Sequence, residues 1–313
     1  MSDVIKLTSI QMAEFAARGV LRFDGVVPDA INQQVVAELD QCVRPENLSP
    51  EDQHNPVAIY GALLAHQALP FVDPGSRWNK AFGKRTALGA LLRLPLVRGA
   101  IESLVGRKAV VDHHFLHVTF PPKPGHTETA QHYHQDSTID PRASFDIQIM
   151  YFPHAVSADM GGTRYLPGSH LRIVSESAIA RYQNIAGQEH VVCPAGSLMI
   201  LHHGIWHGGG ANRGDQRRYM WKLRLNPREP QVRLWDTSDL TTEHYRQRPI
   251  FWSNPAAAVD PVHAQLTRPE PWFEADTSRL EYVNRVRFWR RLLGDSNFDA
   301  DYWLGRLESE YQA

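Results

Sequence analysis

From Ala109 to Leu225 the sequence is a succession of short β-like runs cut by turns rich in glycine and proline. Val110, His114, Leu116, Val118 and Phe120 alternate with other residues, and further runs span Phe145 to Phe152, Thr163 to Leu166, His190 to Val192, Leu198 to His203 and Arg218 to Leu225. Between them stand Asp159-Met160-Gly161-Gly162, Pro194-Ala195-Gly196 and Asn212-Arg213-Gly214-Asp215, residue types that favour turns. Strands this short and this often interrupted pack as a sandwich or close into a barrel.

Helical patterns flank this region. Thr8 and Gln11 form a capping box ahead of Met12, Phe15 and Ala16, and Gly19 stops that helix. Val20 to Phe23 then reads as a strand, and Asp29 caps a second helix with Ile31, Val35, Leu39 and Cys42 on one face. Residues 44–58 read as a polar loop. A leucine-rich helical pattern from Ala87 to Val105 is interrupted by Pro95, which implies two helices or one kinked helix. In the tail, Leu280, Val283, Val286 and Leu293 describe an amphipathic helix, with Trp289-Arg290-Arg291 on a solvated face. There is no internal repeat or low-complexity linker at which to divide the chain.

Composition narrows the function. An apolar fraction of 42% and a charged fraction of 21% are those of a folded globular protein. With 33 Lys and Arg against 34 Asp and Glu, no global field draws in nucleic acid or an anionic membrane, and the partner expected is a small molecule. Only Cys42 and Cys193 are present, in no redox or metal spacing, which fits a reducing compartment. Neither a secretory leader nor an apolar run of about 18 residues is found, so a cytoplasmic location is expected. Oligomeric state is not legible. The 16 His are clustered at 113, 114 and 117, at 132 and 134, and at 202, 203 and 207, which points toward a metal.

His134-Gln135-Asp136 places an imidazole and a carboxylate two residues apart, so on an extended chain both project to one face and can share a cation. Taken alone the pair is weak, since His126-Thr127-Glu128 has the same form. The second signal is His207, followed by Gly208-Gly209-Gly210 and, eleven residues on, by Arg218 at the start of a strand. In a hairpin of that length the two face one interior, where a buried guanidinium requires an anion and matches a carboxylate in bidentate fashion. His202 also has an arginine eleven residues on, but Arg213 falls in a turn, and His202 and His203 read as packing or supporting residues. Two His and one carboxylate with positions left open is the ligand set of a non-haem iron(II) oxygenase. A zinc hydrolase can share the set but has no need of the buried arginine.

With these residues the chain resembles the phytanoyl-CoA dioxygenase family of iron(II)- and 2-oxoglutarate-dependent oxygenases. The likeness runs over roughly residues 8–225: the Leu7-Thr8 helix leading to Gly19-Val20, His134-Gln135-Asp136, Gly161 to Leu166 entering Pro167-Gly168-Ser169-His170, and His207 through Arg218. It implies a mainly β fold with flanking α-helices, a double-stranded β-helix or cupin-like jelly roll. It also implies His134, Asp136 and His207 as ligands of Fe(II), Arg218 on the distal carboxylate of 2-oxoglutarate, and dioxygen as the oxidant. On this reading residues 1–313 form one oxygenase domain, with a helical part at about 1–107, a jelly-roll core at about 108–230 and a helical extension at about 231–313. Family members often carry Ser two residues after the distal His, where this chain has Gly209, so another 2-oxoglutarate donor is expected: Thr163 first, Gln148 next. The activity implied is hydroxylation of an unactivated carbon with release of succinate and carbon dioxide. Two rivals are a cupin-like isomerase or hydrolase that does not use 2-oxoglutarate, and a non-catalytic metal-binding jelly roll.

Overall fold

The computed structural model describes residues 4–42, 71–84, 86–122, 130–136, 146–171, 184–228 and 234–239, with isolated positions at 49, 59, 62, 179, 294 and 297. The tail helix around Leu280 to Leu293 and most of the 44–58 loop lie outside the described residues. Helix α1 spans Ser9–Arg18. The Gln11 backbone N–H donates to the Thr8 hydroxyl at 3.2 Å, and the Thr8 N–H donates to the Gln11 side chain at 3.0 Å. Gly19 ends the helix in the left-handed region at φ 70°. The chain passes directly into strand β1, Val20–Phe23.

Helix α2, Asp29–Cys42, buries Asn32, Val35, Leu39 and Cys42. Asp29 stands inside its first turn rather than before it, where its charge complements the free N–H groups. A short helix α3, Trp78–Ala81, precedes the leucine-rich region, which divides into α4, Ala87–Leu91, and α5, Pro95–Val105. Pro95 opens α5, where it forfeits no hydrogen bond.

Seven further strands follow: β2 Val110–Thr119, β3 Ile147–Phe152, β4 Thr163–Tyr165, β5 Glu189–His190, β6 Ser197–His202, β7 His207–Gly209 and β8 Arg218–Asn226. One antiparallel sheet has the order β1-β6-β3-β8-β2 and the other β5-β4-β7, with His134 bridged to His207 on the free side of β7. From β2 onward the chain crosses between the sheets, so sequence neighbours rarely pair. That is the winding of a double-stranded β-helix. The expected strand positions differ by a residue or two, except that β7 is a strand hidden by its glycines. His207 and Arg218 are therefore not partners in one hairpin; they lie in opposite sheets and face each other across the interior.

Alternation gives the large sheet two unlike faces. Ile149, Tyr151, Leu198, Ile200, Tyr219, Trp221, Leu223 and Leu225 pack outward into one cluster with Met12, Phe15, Leu39, Leu91, Ile101 and Leu104 of the helices. Met150, Phe152, Met199, Leu201 and Met220 point inward, between the sheets, with Val156, Met160 and Tyr165. A register shift between Val111 and His114 adds one residue to β2. This bulge turns His114 and Leu116 outward and His117 and Thr119 inward. Among the described residues no helix is long and apolar enough to cross a membrane.

Asp236 and Asp239 pack against the start of α1, and the segment before α1 lies on α5. The Asp236 N–H donates to Leu7 O at 2.8 Å, and Asp239 accepts from the N–H groups of Ser9 and Ile10 at the start of α1. The Ile5 N–H donates to Pro95 O at 3.2 Å, laying the N-terminal segment across α5 so closely that a Cβ on Gly99 would stand 1.7 Å from Ile5 O. Ala is ordinarily favoured over Gly inside a helix by about 1 kcal/mol. Here the sign reverses: Gly99→Ala is expected to destabilise the protein by about 1–3 kcal/mol or more through overpacking against backbone. A thermal melt reads this as a drop of several degrees.

Candidate metal centre

The chain before Gln135 runs beside β7 as a further, irregular strand. Gln131 N–H donates to Gly209 O, and His134 and His207 exchange two backbone hydrogen bonds, each at 2.9 Å. Gly208 permits this approach, since a Cβ there would lie 2.9 Å from the carbonyl oxygens of Gln131 and His132. Alternation sends Tyr133 outward into a cluster with Leu166, Ile185 and Trp206, and sends His134 and Asp136 inward. Trp206, beside the distal His in sequence, is thereby a packing residue.

His134, Asp136 and His207 offer one ligand atom each, all within 4.8 Å of one another. His207 Nε2 lies 3.5 Å from Asp136 Oδ2, and the two imidazole centroids are 4.4 Å apart. Both tautomers are fixed by the backbone: His134 Nδ1–H donates to His132 O at 3.1 Å, and His207 Nδ1–H donates to Ile205 O at 2.9 Å. A carbonyl can only accept, so each Nε2 presents its lone pair to the centre. Burial, opposed by the Asp136 charge, pushes His207 down to about 4, which keeps it neutral. Burial alone would raise Asp136, but His207 and the Lys222 ammonium outweigh it and hold the carboxyl below the ordinary carboxylate range. Lys222 Nζ donates to Asp136 Oδ1 at 3.1 Å, while Oδ2 is buried with no hydrogen-bond partner among the described residues. Lone pairs that converge without a proton between them repel, and a cation among them removes the repulsion. The donor set thus fits a divalent metal with positions left for other ligands.

Arg218 is buried at the start of β8. Its Nη1 donates to Met160 O at 2.8 Å and its Nη2 to Thr119 Oγ1 at 3.0 Å. Burial brings its pKa down to about 10, which leaves it charged at neutral pH, and among the described residues it has no carboxylate partner. A Cβ on Gly209 would lie 3.7 Å from Arg218 Nη2, so the position at which the resemblance leads Ser to be expected adjoins the guanidinium. Thr163 pairs with Gly209 across the ladder and shares its face.

Gln148 is placed elsewhere. It pairs with Arg224, six residues along β8 from Arg218, about 20 Å by strand rise. The expectation that it serves the same ligand as Arg218 is corrected by this register. His126 and Glu128, the competing pair, lie outside the described residues. His202 packs against Phe15 and His170, and His203 donates from Nε2 to Ile147 O at 2.8 Å, so both support the fold. His170 is buried with Nε2 donating to Ala16 O at 3.0 Å, which ties the Pro167 loop to α1.

Sequence reasoning missed Lys222, Thr119 and His117. The first was available: counting by twos from Arg218 reaches Lys222 on the same face. His117 turns inward only because of the bulge, and burial, reinforced by Lys222 and His207, drives it down to about 3.

Uncharacterized proteins Mb1539 of Mycobacterium bovis and Rv1501 of Mycobacterium tuberculosis are each 27% identical over 133 residues, 41% of this chain and 46% of theirs. The chain thus spans about half the length of the curated relatives it matches. The structure of apo ThoJ, a non-heme monooxygenase, is similar at a TM-score of 0.50 and 18% identity, covering 69% of this chain and 77% of that one. HygX of Streptomyces hygroscopicus, solved with nickel and 2-oxoglutarate bound, gives 0.49 and 13%, covering 71% and 88%. The family model for phytanoyl-CoA dioxygenase matches residues 17–220, which takes in both sheets to the first residues of β8 and all three inward-facing donors. The chain belongs to the phytanoyl-CoA dioxygenase family.

Proposed function

We propose that this protein is an iron(II)- and 2-oxoglutarate-dependent dioxygenase that hydroxylates an unactivated carbon of a small organic molecule. The observation that carries the reading is Arg218, a buried cation without a carboxylate partner among the described residues, facing the interior that His134, Asp136 and His207 also face. An isomerase or hydrolase built on the same three donors would leave that charge without a purpose. A cosubstrate with a second carboxylate provides one.

His134 Nε2, Asp136 Oδ2 and His207 Nε2 would hold the iron. Bound there with 2-oxoglutarate, iron(II) supplies the activation of dioxygen: one oxygen atom enters the substrate as hydroxyl, the other enters succinate, and carbon dioxide leaves. Lys222 occupies Asp136 Oδ1, so the carboxylate turns its other oxygen toward the centre. Met160 O and Thr119 Oγ1 fix the Arg218 fork before any ligand arrives, which lowers the ordering cost of binding. Thr163, the cross-strand partner of Gly209, would donate its hydroxyl to the same distal carboxylate. The deciding experiment is succinate release on aerobic incubation with iron(II) and 2-oxoglutarate over a set of small molecules. Turnover without 2-oxoglutarate would favour the cupin-like alternative.

His134→Ala, Asp136→Ala and His207→Ala are each expected to abolish stoichiometric metal binding and succinate formation, while His126→Ala retains both. Metal content after desalting decides this, and a His126 variant that loses metal beside a His134 variant that keeps it would refute the ligand set.

Arg218→Ala is expected to weaken 2-oxoglutarate roughly 30-fold or more, the consequence of removing one partner of a buried charge-assisted pair. Arg218→Lys recovers part of this, because a point ammonium lacks the bidentate fork. Thr163→Val costs about tenfold or less. Metal affinity should survive in all three. Anaerobic titration of 2-oxoglutarate, followed by the metal-to-ligand charge-transfer band, measures each constant.

A further inference from the structure

Gln148 is wholly buried, and among the described residues neither its Nε2 nor its Oε1 has a hydrogen-bond partner. Its facing is set by the ladder: Ile149 and Tyr151 join the outward cluster, while Met150, Phe152 and its cross-strand partner Leu201 lie between the sheets. Gln148 therefore projects into the interior. Its diagonal neighbour on β8 is Lys222, about 7–8 Å away between backbones, and Lys222 reaches Asp136. The amide thus lies on the metal's wall, on the opposite side of Asp136 from Arg218. A buried amide with both ends unpaired destabilises a fold unless something else completes it.

The charges around it narrow what that something is. Lys222 is held by Asp136, and Arg224 lies 3.4 Å from Asp112 and against His203. Each cation on this stretch of β8 already faces an acid, so neither stands open for an anionic ligand. Gln148 itself offers two N–H donors and one carbonyl acceptor without charge.

Building on the oxygenase reading above, we propose that Gln148 is a specificity-determining residue that binds the substrate rather than 2-oxoglutarate, and that the substrate presents a neutral hydrogen-bonding group, a hydroxyl or carboxamide, near the carbon that reacts. Because the amide is fully covered, substrate would have to displace what lies over it. A hydrocarbon would leave the amide unpaired, and on this stretch of β8 a carboxylate would meet no uncommitted cation among the described residues.

The test uses the iron-loaded full chain under argon. With 2-oxoglutarate, Gln148→Met and Gln148→Glu are expected to keep the dissociation constant within about twofold of wild type, in contrast to Arg218→Ala. In the metal-free protein Gln148→Met is expected to melt a few degrees higher than wild type, since an apolar isostere removes the unpaired amide. Octanamide and octan-1-ol serve as neutral probes and octanoate as the anionic one. A neutral probe is expected to shift the charge-transfer band of the wild type, octanoate not, and Gln148→Met to weaken that response about tenfold or more. The proposal is overturned if Gln148→Met weakens 2-oxoglutarate tenfold or melts below wild type. It also falls if octanoate shifts the band as strongly as the neutral probes, or if neither neutral probe does. Absence of any band in the wild type with iron and 2-oxoglutarate would instead refute the oxygenase reading itself.

Discussion

The register of β8 against β3 and β2 is the constraint on which the centre depends. On one face this strand carries Tyr219, Trp221, Leu223 and Leu225, on the other Arg218, Met220, Lys222 and Arg224. A slip of one residue would bury three cations in the helical layer and expose four large side chains to the interior. Burying each of those aromatic or aliphatic chains contributes about 1.5–3 kcal/mol, so the helices enforce the register from outside. The same ladder then decides, without further instruction, that Arg218 and Lys222 point toward the ligands on the opposite sheet.

The ligands are oriented by backbone rather than by side chains. Both imidazoles donate Nδ1–H to a carbonyl two residues earlier in their own segment, Ile205 for His207 and His132 for His134. Because His134 and His207 also exchange backbone hydrogen bonds, the two rings and their tautomers are specified by one short ladder. Asp136 is different: its carboxylate is made asymmetric by Lys222, which engages one oxygen and leaves the other bare. Local geometry thus fixes which atom of each residue is offered.

Much of this was legible in the sequence, and the reasons are local. The capping box at Thr8, the stop at Gly19 and the break at Pro95 are decided by short-range chemistry and appear where the residues put them. The inward facing of His134 and Asp136 follows from the period of an extended chain. What depended on pairing did not survive so well. β7 is three residues with two glycines, too short and too weak in strand propensity to be seen alone, and it forms because β4 and the chain at Gln131 supply its partners. The hairpin inferred between His207 and Arg218 failed for the same reason, since spacing says nothing about which sheet a strand joins. Gln148 was linked to Arg218 by type, and only the register separates them. The bulge that turns His117 inward has no signature in Asp112 or His113.

Three of the groups with an unmet partner among the described residues lie along one interior wall: Arg218, with no carboxylate, at one end, Asp136 Oδ2 in the middle and the Gln148 amide beyond it. Each costs of the order of 1–3 kcal/mol when left without a partner. Scattered through a core, such groups would be defects; lined up beside converging lone pairs, they define a ligand by what they lack. The sequence along the wall is a guanidinium in want of a carboxylate, three donors in want of a cation, and an amide in want of a neutral polar group. A dicarboxylate chelating a metal meets the first two together, because its far end must lie on the Arg218 side if its near end is to reach Asp136. On the reading proposed above, what remains is the other side of the metal, where the substrate would sit, and there the unmet demand is uncharged. On the same reading, the order of residues along β8 would separate cosubstrate from substrate, the Arg218 end taking the dicarboxylate and the Gln148 end the neutral group.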